Sequence, residues 1–194
     1  MVKYIIVTLS FLIIVSYSND ILAQEKYEKE SRIKQSDVPP NAFKFIDSLS
    51  LKNKVKWYLE EGIERKSVEA KFIRNGKRHS VEFDTLGTIE DVEIEMEWED
   101  IQASTKNSIS TSLKEDCEKY KIIKTQIQYT GNQSSLLLKL LSGQPTEILT
   151  VKYEIKVRCR SKKNTDLFEY LFTDKGQLIL ASRILFKSSN HLEY

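Results

Sequence analysis

The sequence predicts an α+β protein made of two tandem repeats, each with one helix packed on a four-stranded antiparallel sheet. Three observations lead there. Short segments alternate apolar and polar residues with the period of a strand. Asn75-Gly76 stands between two such segments as a strong hairpin signal. The order helix, strand, strand, strand, strand then occurs twice along the chain, and such recurrence weighs more than any single propensity.

The 194-residue chain opens with Lys3 and an apolar stretch from Tyr4 to Val15, the length of a signal-peptide core and too short for a comfortable membrane span. Ala23, after Ile21-Leu22, suits signal peptidase, so residues 1–23 read as a cleaved leader and the mature chain begins near Gln24 or Glu25. No cysteine lies near that point to accept a lipid, and no later run is apolar enough to span a bilayer. Residues 24–37 are charged and aperiodic, and read as a flexible tether.

The first repeat is placed at 38–98. Asn41 can cap a short helix over 42–49, with Phe43, Ile46 and Leu49 on one face. Val55, Trp57 and Leu59 alternate with polar neighbours, as do Val68, Ala70 and Phe72 before the Asn75-Gly76 turn and His79, Val81 and Phe83 after it. Asp84-Thr85-Leu86-Gly87 makes the next turn, its glycine able to take positive φ, and Ile89, Val92, Ile94 and Met96 carry the fourth strand.

The second repeat is placed at 99–187, ahead of a tail at 188–194. Its helix covers 101–117 with Ile109, Leu113 and Cys117 on one stripe, and strands follow at 122–129, 151–160, 168–173 and 178–186. It differs from the first mainly by an insertion at 132–150, rich in leucine. One helix on one face leaves the other face of each sheet wet, which explains the charged residues at alternate positions.

Composition narrows the function. The formal net charge of +2 is too mild to imply nucleic acid. The two cysteines are too few for a disulfide-built scaffold. Cys117 and Cys159 both point between helix and sheet, where they can bridge or remain as buried thiols. With His79 and His191 the only histidines, a triad or a histidine-rich metal site has little material. No catalytic, cofactor-binding or metal-ligating set stands out. The acid run from Glu90 to Asp100 puts Glu93, Glu95 and Glu97 on one strand face, where cross-strand pairing with Lys71, Lys152, Lys156 or Arg158 is the expected use. Arg74, Lys77 and Arg78 make a basic hairpin tip, matched by Lys162-Lys163, with no aromatics interleaved for nucleic acid.

The duplicated turn Phe83-Asp84-Thr85-Leu86-Gly87-Thr88-Ile89 and Phe172-Thr173-Asp174-Lys175-Gly176-Gln177-Leu178, following a helix and hairpin strands behind a leader, resembles the PepSY-like family, also described as β-lactamase-inhibitor-like. The likeness runs from about Val38 to Leu185. It implies a periplasmic, non-enzymatic binding or inhibitory module that uses an exposed concave sheet face, and it supplies no catalytic residue.

The expected protein is therefore a periplasmic or secreted module that binds an unidentified protein or peptide partner of the cell envelope, without a cofactor. A structural or assembly role in the envelope is the alternative, and a hydrolase with an unrecognised site a weaker one. Candidate contact residues are Tyr58, Trp98 and Tyr129, because aromatics are enriched at binding hot spots. Leu137, Leu138 and Leu141 of the insertion join them, since an apolar insertion either packs as extra core or presents a patch.

Overall fold

The computed structural model describes residues 24–27, 29–62, 65–143, 148–161 and 164–185. The segment 1–23 read as a leader, Lys162-Lys163, Phe186, His191 and the segment 188–194 read as a tail lie outside those residues. The segment read as a tether instead begins the sheet, with β1 at Gln24–Tyr27 and β2 at Lys29–Ile33. Helix α1 (Pro40–Asp47) precedes β3 (Lys56–Glu61), β4 (Lys66–Arg74), β5 (Lys77–Asp84) and β6 (Ile89–Glu95). Helix α2 (Ala103–Asp116), β7 (Lys119–Thr130), α3 (Gln133–Ser142), β8 (Thr150–Arg160), β9 (Thr165–Thr173) and β10 (Leu178–Leu185) complete the order.

The strands form one ten-stranded sheet, β1-β10-β9-β8-β7-β6-β5-β4-β3-β2. The expected pair of four-stranded sheets, each under its own helix, is therefore corrected. Its dividing line disappears where β6 pairs with β7 through Val92 opposite Tyr129 and Ile94 opposite Ile127. An unpaired β6 would present free backbone donors and acceptors, and the neighbouring strand satisfies them. Neighbours from β2 to β10 are antiparallel, whereas β1 lies parallel to β10, with Gln24 opposite Ser182.

The ends of this strand order carry a consequence for shape. β1 and β2 are one residue apart in sequence yet sit at opposite ends of the sheet. Two residue steps of extended chain reach only about 7 Å. The sheet must therefore curl until β10 and β3 approach each other across the N-terminal segment, which gives it an inner and an outer face.

Alternation assigns the faces. Outward side chains make two cores under the helices. In the first, Trp57, Val68, Ala70, Phe72, Val81, Phe83 and Val92 cluster with Ala42, Phe45 and Ile46 of α1 and Leu136 and Leu140 of α3. In the second, Ile155, Val157, Tyr170, Phe172 and Ala181 cluster with Ile109 and Leu113 of α2. The insertion is thus built around a third helix. Asn132 caps α3 by accepting from the Ser135 N–H at 2.9 Å, and Gly143, at φ +70°, ends it in the left-handed region.

The repeated turn has a packing role. Asp84 Oδ1 accepts from the Leu86 and Thr88 amides, and Gly87 adopts φ +84° with its α-carbon so near α1 that a Cβ would lie 2.8 Å from the Ala42 nitrogen. In the later turn Thr173 Oγ1 accepts from the Lys175 and Gln177 amides. Gly176 takes φ +78°, and a Cβ there would lie 2.7 Å from the Thr105 carbonyl oxygen of α2. Each glycine answers both to a conformation open to few side chains and to a helix seated on the turn. Cys117 at the end of α2 and Cys159 on β8 are joined by a disulfide with their Cα atoms 5.4 Å apart. Among the described residues no helix is long and apolar enough to cross a membrane.

Candidate functional site

The inner face is polar because its positions alternate with the core positions of β2 to β10. Nine strands, β2 to β10, place side chains around one cavity of about 240 Å³. Its acids are Glu30, Glu60, Glu69, Glu82, Glu93, Glu154 and Glu169, set against Lys71, Lys124 and Lys156, with Gln126, Gln128 and Ser182 between them. The buried acids among them, Glu69, Glu154 and Glu169, require partners, and the neighbouring strands supply them. Lys71 Nζ lies 2.8 Å from Glu69 and 3.0 Å from Glu30. Lys156 Nζ lies 3.0 Å from Glu169. Gln126 donates to Glu93 at 2.8 Å, and the Ser80 hydroxyl donates to Glu69. At the rim Arg65 holds Glu82 and Glu90 at 2.7 and 2.8 Å.

The same crowding separates the carboxyl groups by protonation. Burial favours the protonated form of Glu69, but hydrogen bonds with Glu60, Lys71 and Ser80 and the Lys71 charge outweigh it, so Glu69 is held below the ordinary range. Glu93 goes the other way. Its burial dominates the hydrogen bond from Glu154 and pushes it up, with the Glu169 charge adding to the rise. Asp91 is raised well above its ordinary value by burial and by the charges of Glu93, Glu82 and Glu90. The Lys71 ammonium, despite burial, is stabilised by Glu69 and Glu30. Carboxylate oxygens of Glu30, Glu60 and Glu69 lie within 4.8 Å of one another and would suit a cation in charge. Lys71 already stands in their midst as the built-in cation, so a divalent ion would have to displace it.

A second cavity of about 470 Å³ adjoins the first at the β4–β5 hairpin end. Lys54, Lys56, Lys71, Arg78 and Lys124 line it together with Tyr58, Phe72 and Ile73, and among the described residues Glu95 is its sole carboxylate.

The sequence-predicted residues are scattered relative to these cavities. Tyr58 borders the second, with Lys71 Nζ 5.0 Å above its ring. Trp98 is half-buried against the second core. Tyr129 is buried in the first core, its ring under Lys139 Nζ at 4.7 Å. Leu137 packs partly against that core, whereas Leu138 and Leu141 are 51% and 47% exposed. Of the acid run, Glu93 enters the first cavity, Glu95 pairs with Arg78 at 3.7 Å, and Glu97 is exposed beyond the strand. His79 stacks on Phe72 with ring centroids 5.3 Å apart, its Nδ1 3.0 Å from the Lys77 carbonyl oxygen.

In the sequence Lys71 and Lys156 stand out only as generic pairing partners, and Lys124, Glu69, Glu154 and Glu169 do not stand out as site residues. The adjacent pair Ile122-Ile123, which interrupts the alternation of β7, was a readable sign that the strand changes phase there.

No family model matches the chain, and no curated protein matches it. Solved structures do resemble it. A DUF2874 family protein from Bacteroides ovatus superposes with a TM-score of 0.52 at 16% identity, covering 76% of this chain and 89% of its own. A protein named "putative periplasmic" from Bacteroides eggerthii gives 0.51 at 14% identity, covering 75% and 88%. A BLIP-like protein from Bacteroides fragilis gives 0.49 at 13% identity, covering 79% and 92%. The likeness is one of fold, and it rests on the first two.

Proposed function

We propose that the protein is a non-enzymatic extracytoplasmic module that binds a protein or peptide, in an inhibitory or regulatory role, through the inner face of its sheet. The observation that carries this reading is the paired charge of that face: side chains from nine strands converge on one concave, solvent-reachable surface. Its amines and carboxylates are mostly engaged with one another, as on a recognition surface where complementary charge sets register and partner choice. His79, the one histidine among the described residues, is spent on stacking with Phe72. An extracytoplasmic setting draws support from the leader at 1–23 and from the name of the Bacteroides eggerthii structure. The resemblance of the two Phe-x-x-x-Gly turns to PepSY-like domains points the same way.

The test is an affinity capture from envelope extract with the mature chain, run beside Tyr58→Ala on the inner face and a Leu138→Ser, Leu141→Ser double variant on α3. One stoichiometric partner weakened by Tyr58→Ala and kept by the α3 variant is the expected outcome. Loss with the α3 variant alone would move the contact to the outer surface. Many envelope components would favour the assembly role, and recovery of no partner would count against both.

A further inference from the structure

The basic end of the inner face is prepared by a local irregularity. Along β7 and β8, Ile122 stands opposite Val157 and Lys124 opposite Lys156, so Ile123 is an extra residue and β7 is bulged. A bulge bends the strand and re-aims the side chains after it. Without it the strict alternation from Ile122, which packs toward the second core, would turn Ile123 inward and Lys124 outward. With it, Ile123 is left 45% exposed and Lys124 lines both cavities.

Lys124 is half-buried and, among the described residues, makes no hydrogen bond or ion pair; Glu93 feels its charge without contacting it. Lys156, directly opposite, is already engaged by Glu169. The same arrangement recurs across the cavity, where Lys56 stands directly opposite Lys71. Lys71 is engaged by Glu69 and Glu30, and Lys56 is exposed with no ion pair among the described residues. Like charges directly opposite each other destabilise a sheet. Of these two pairs Lys56, Lys71 and Lys124 line the second cavity, with Lys56 and Lys124 uncommitted, while Lys156 lines the first; among the described residues the single carboxylate lining the second cavity, Glu95, faces Arg78. A surplus of positive charge is thus held there at a cost in stability.

We propose that this end of the inner face is an anion subsite that takes an Asp or Glu carboxylate of an extended, mixed-charge peptide segment, with Lys124 and Lys56 as its ligands. A basic residue of the same segment reaches the carboxylates of the adjoining cavity. This rests on the peptide-binding reading above and adds the chemistry of the partner. The acids next door repel a polyanion, which excludes nucleic acid and sulfated glycans from lying along the face. Tyr58 and Ile73 border the subsite and offer apolar contact that a bare inorganic anion cannot use.

The test is selection of binders to the purified protein from a displayed library of random nine-residue peptides, followed by titration of the enriched synthetic peptides. Lys124→Gln, Lys56→Gln and, as a distant control, Lys119→Gln are compared, with a heparin fragment as a polyanion probe. Enriched peptides are expected to carry an Asp or Glu a few residues from a Lys or Arg. Their affinity is expected to fall about tenfold with Lys124→Gln, as for loss of one charge-assisted hydrogen bond, and to stay unchanged with Lys119→Gln. Because Lys124→Gln also relieves the opposition to Lys156, its Tm is expected to equal or exceed the wild-type value. A fall in Tm would make Lys124 a structural residue and overturn the proposal. Binders without acidic enrichment, or insensitive to Lys124→Gln, would refute the subsite and leave peptide binding standing. Absence of any binder would refute both, and heparin binding that Lys124→Gln abolishes would transfer the site to a glycan.

Discussion

Glu93 shows how a residue on a sheet face acquires its chemistry from its neighbours. In sequence it is one acid in a run of acids; in the fold it is half-buried, receives a hydrogen bond from Gln126 and shares another with Glu154. Its raised pKa means that the folded chain keeps a proton which the unfolded chain has lost. The stability this confers is complete below the ordinary glutamate value of 4.5 and is lost as pH rises through the folded value. Glu69 has the opposite sign: its lowered pKa contributes stability above that ordinary value, lost as pH falls through the folded one. Glu93→Gln keeps a neutral, nearly isosteric group. It is expected to match wild type near the ordinary glutamate value and to exceed it at pH 8 by about 2–4 °C for each kcal/mol of relieved charge burial. Melting curves of both proteins across this pH range decide the matter, and parallel curves would show that Glu93 does not titrate in that window.

At the scale of elements, the insertion carries the clearest contrast. Helix α3 has a sound cap at each end and uses one side for the first core, where Leu136 is fully buried and Leu140 nearly so. The other side leaves Leu138 and Leu141 in water. Leu136→Ala is expected to cost about 3 kcal/mol, the usual range for emptying a buried leucine site, whereas Leu138→Ser should stay within about 0.5 kcal/mol. Urea unfolding measures both. Equal losses would mean that α3 is packed on both sides and has no free surface. The leucine richness at 132–150 announced an apolar element, but the division into buried and exposed stripes depends on where α3 lands on the sheet. The β7 bulge is a parallel case: Ile122-Ile123 signals a break in alternation, and only pairing with β8 reveals which side chain is re-aimed.

For the whole molecule the decisive element is the N-terminal segment. β1 adds to β10 and β2 to β3, so ten residues bring together two strands distant in sequence and give the polar face its concavity. Glu30 on β2 also completes the partners of Lys71. A chain beginning at Lys34 is expected to retain both helix-covered cores while the amides of β3 and of residues 182–185 exchange with solvent at least about tenfold faster, as for strands turned into edges. Hydrogen exchange resolved by residue gives the answer. Unchanged protection at β3 would show that β2 is not needed to hold the sheet edge.

Much of the element content was legible locally. The alternations around Trp57, Val68, Val81, Val92 and Val151, the Asn75-Gly76 hairpin and the two glycine turns are short-range patterns, because side-chain period and positive φ are properties of neighbouring residues. The same holds for the stretch from Ile101 to Cys117 as a helix. How those elements share backbone hydrogen bonds is fixed only when distant strands meet. Whether β6 ends one sheet or continues into β7 depends on pairing between residues some 35 positions apart; no local pattern records it, since an edge strand and a central strand can share the same alternation. The charged segment 24–37 looked like a tether for the same reason: its strands are stabilised by partners at 57–61 and 182–185 rather than by apolar periodicity of their own. Apolar character, alternation and turn positions are local properties of the chain and can be read along it. Tertiary structure alone turned the charges into a site, because a carboxylate's or an amine's character depends on its burial and on the charges that strand register places opposite it.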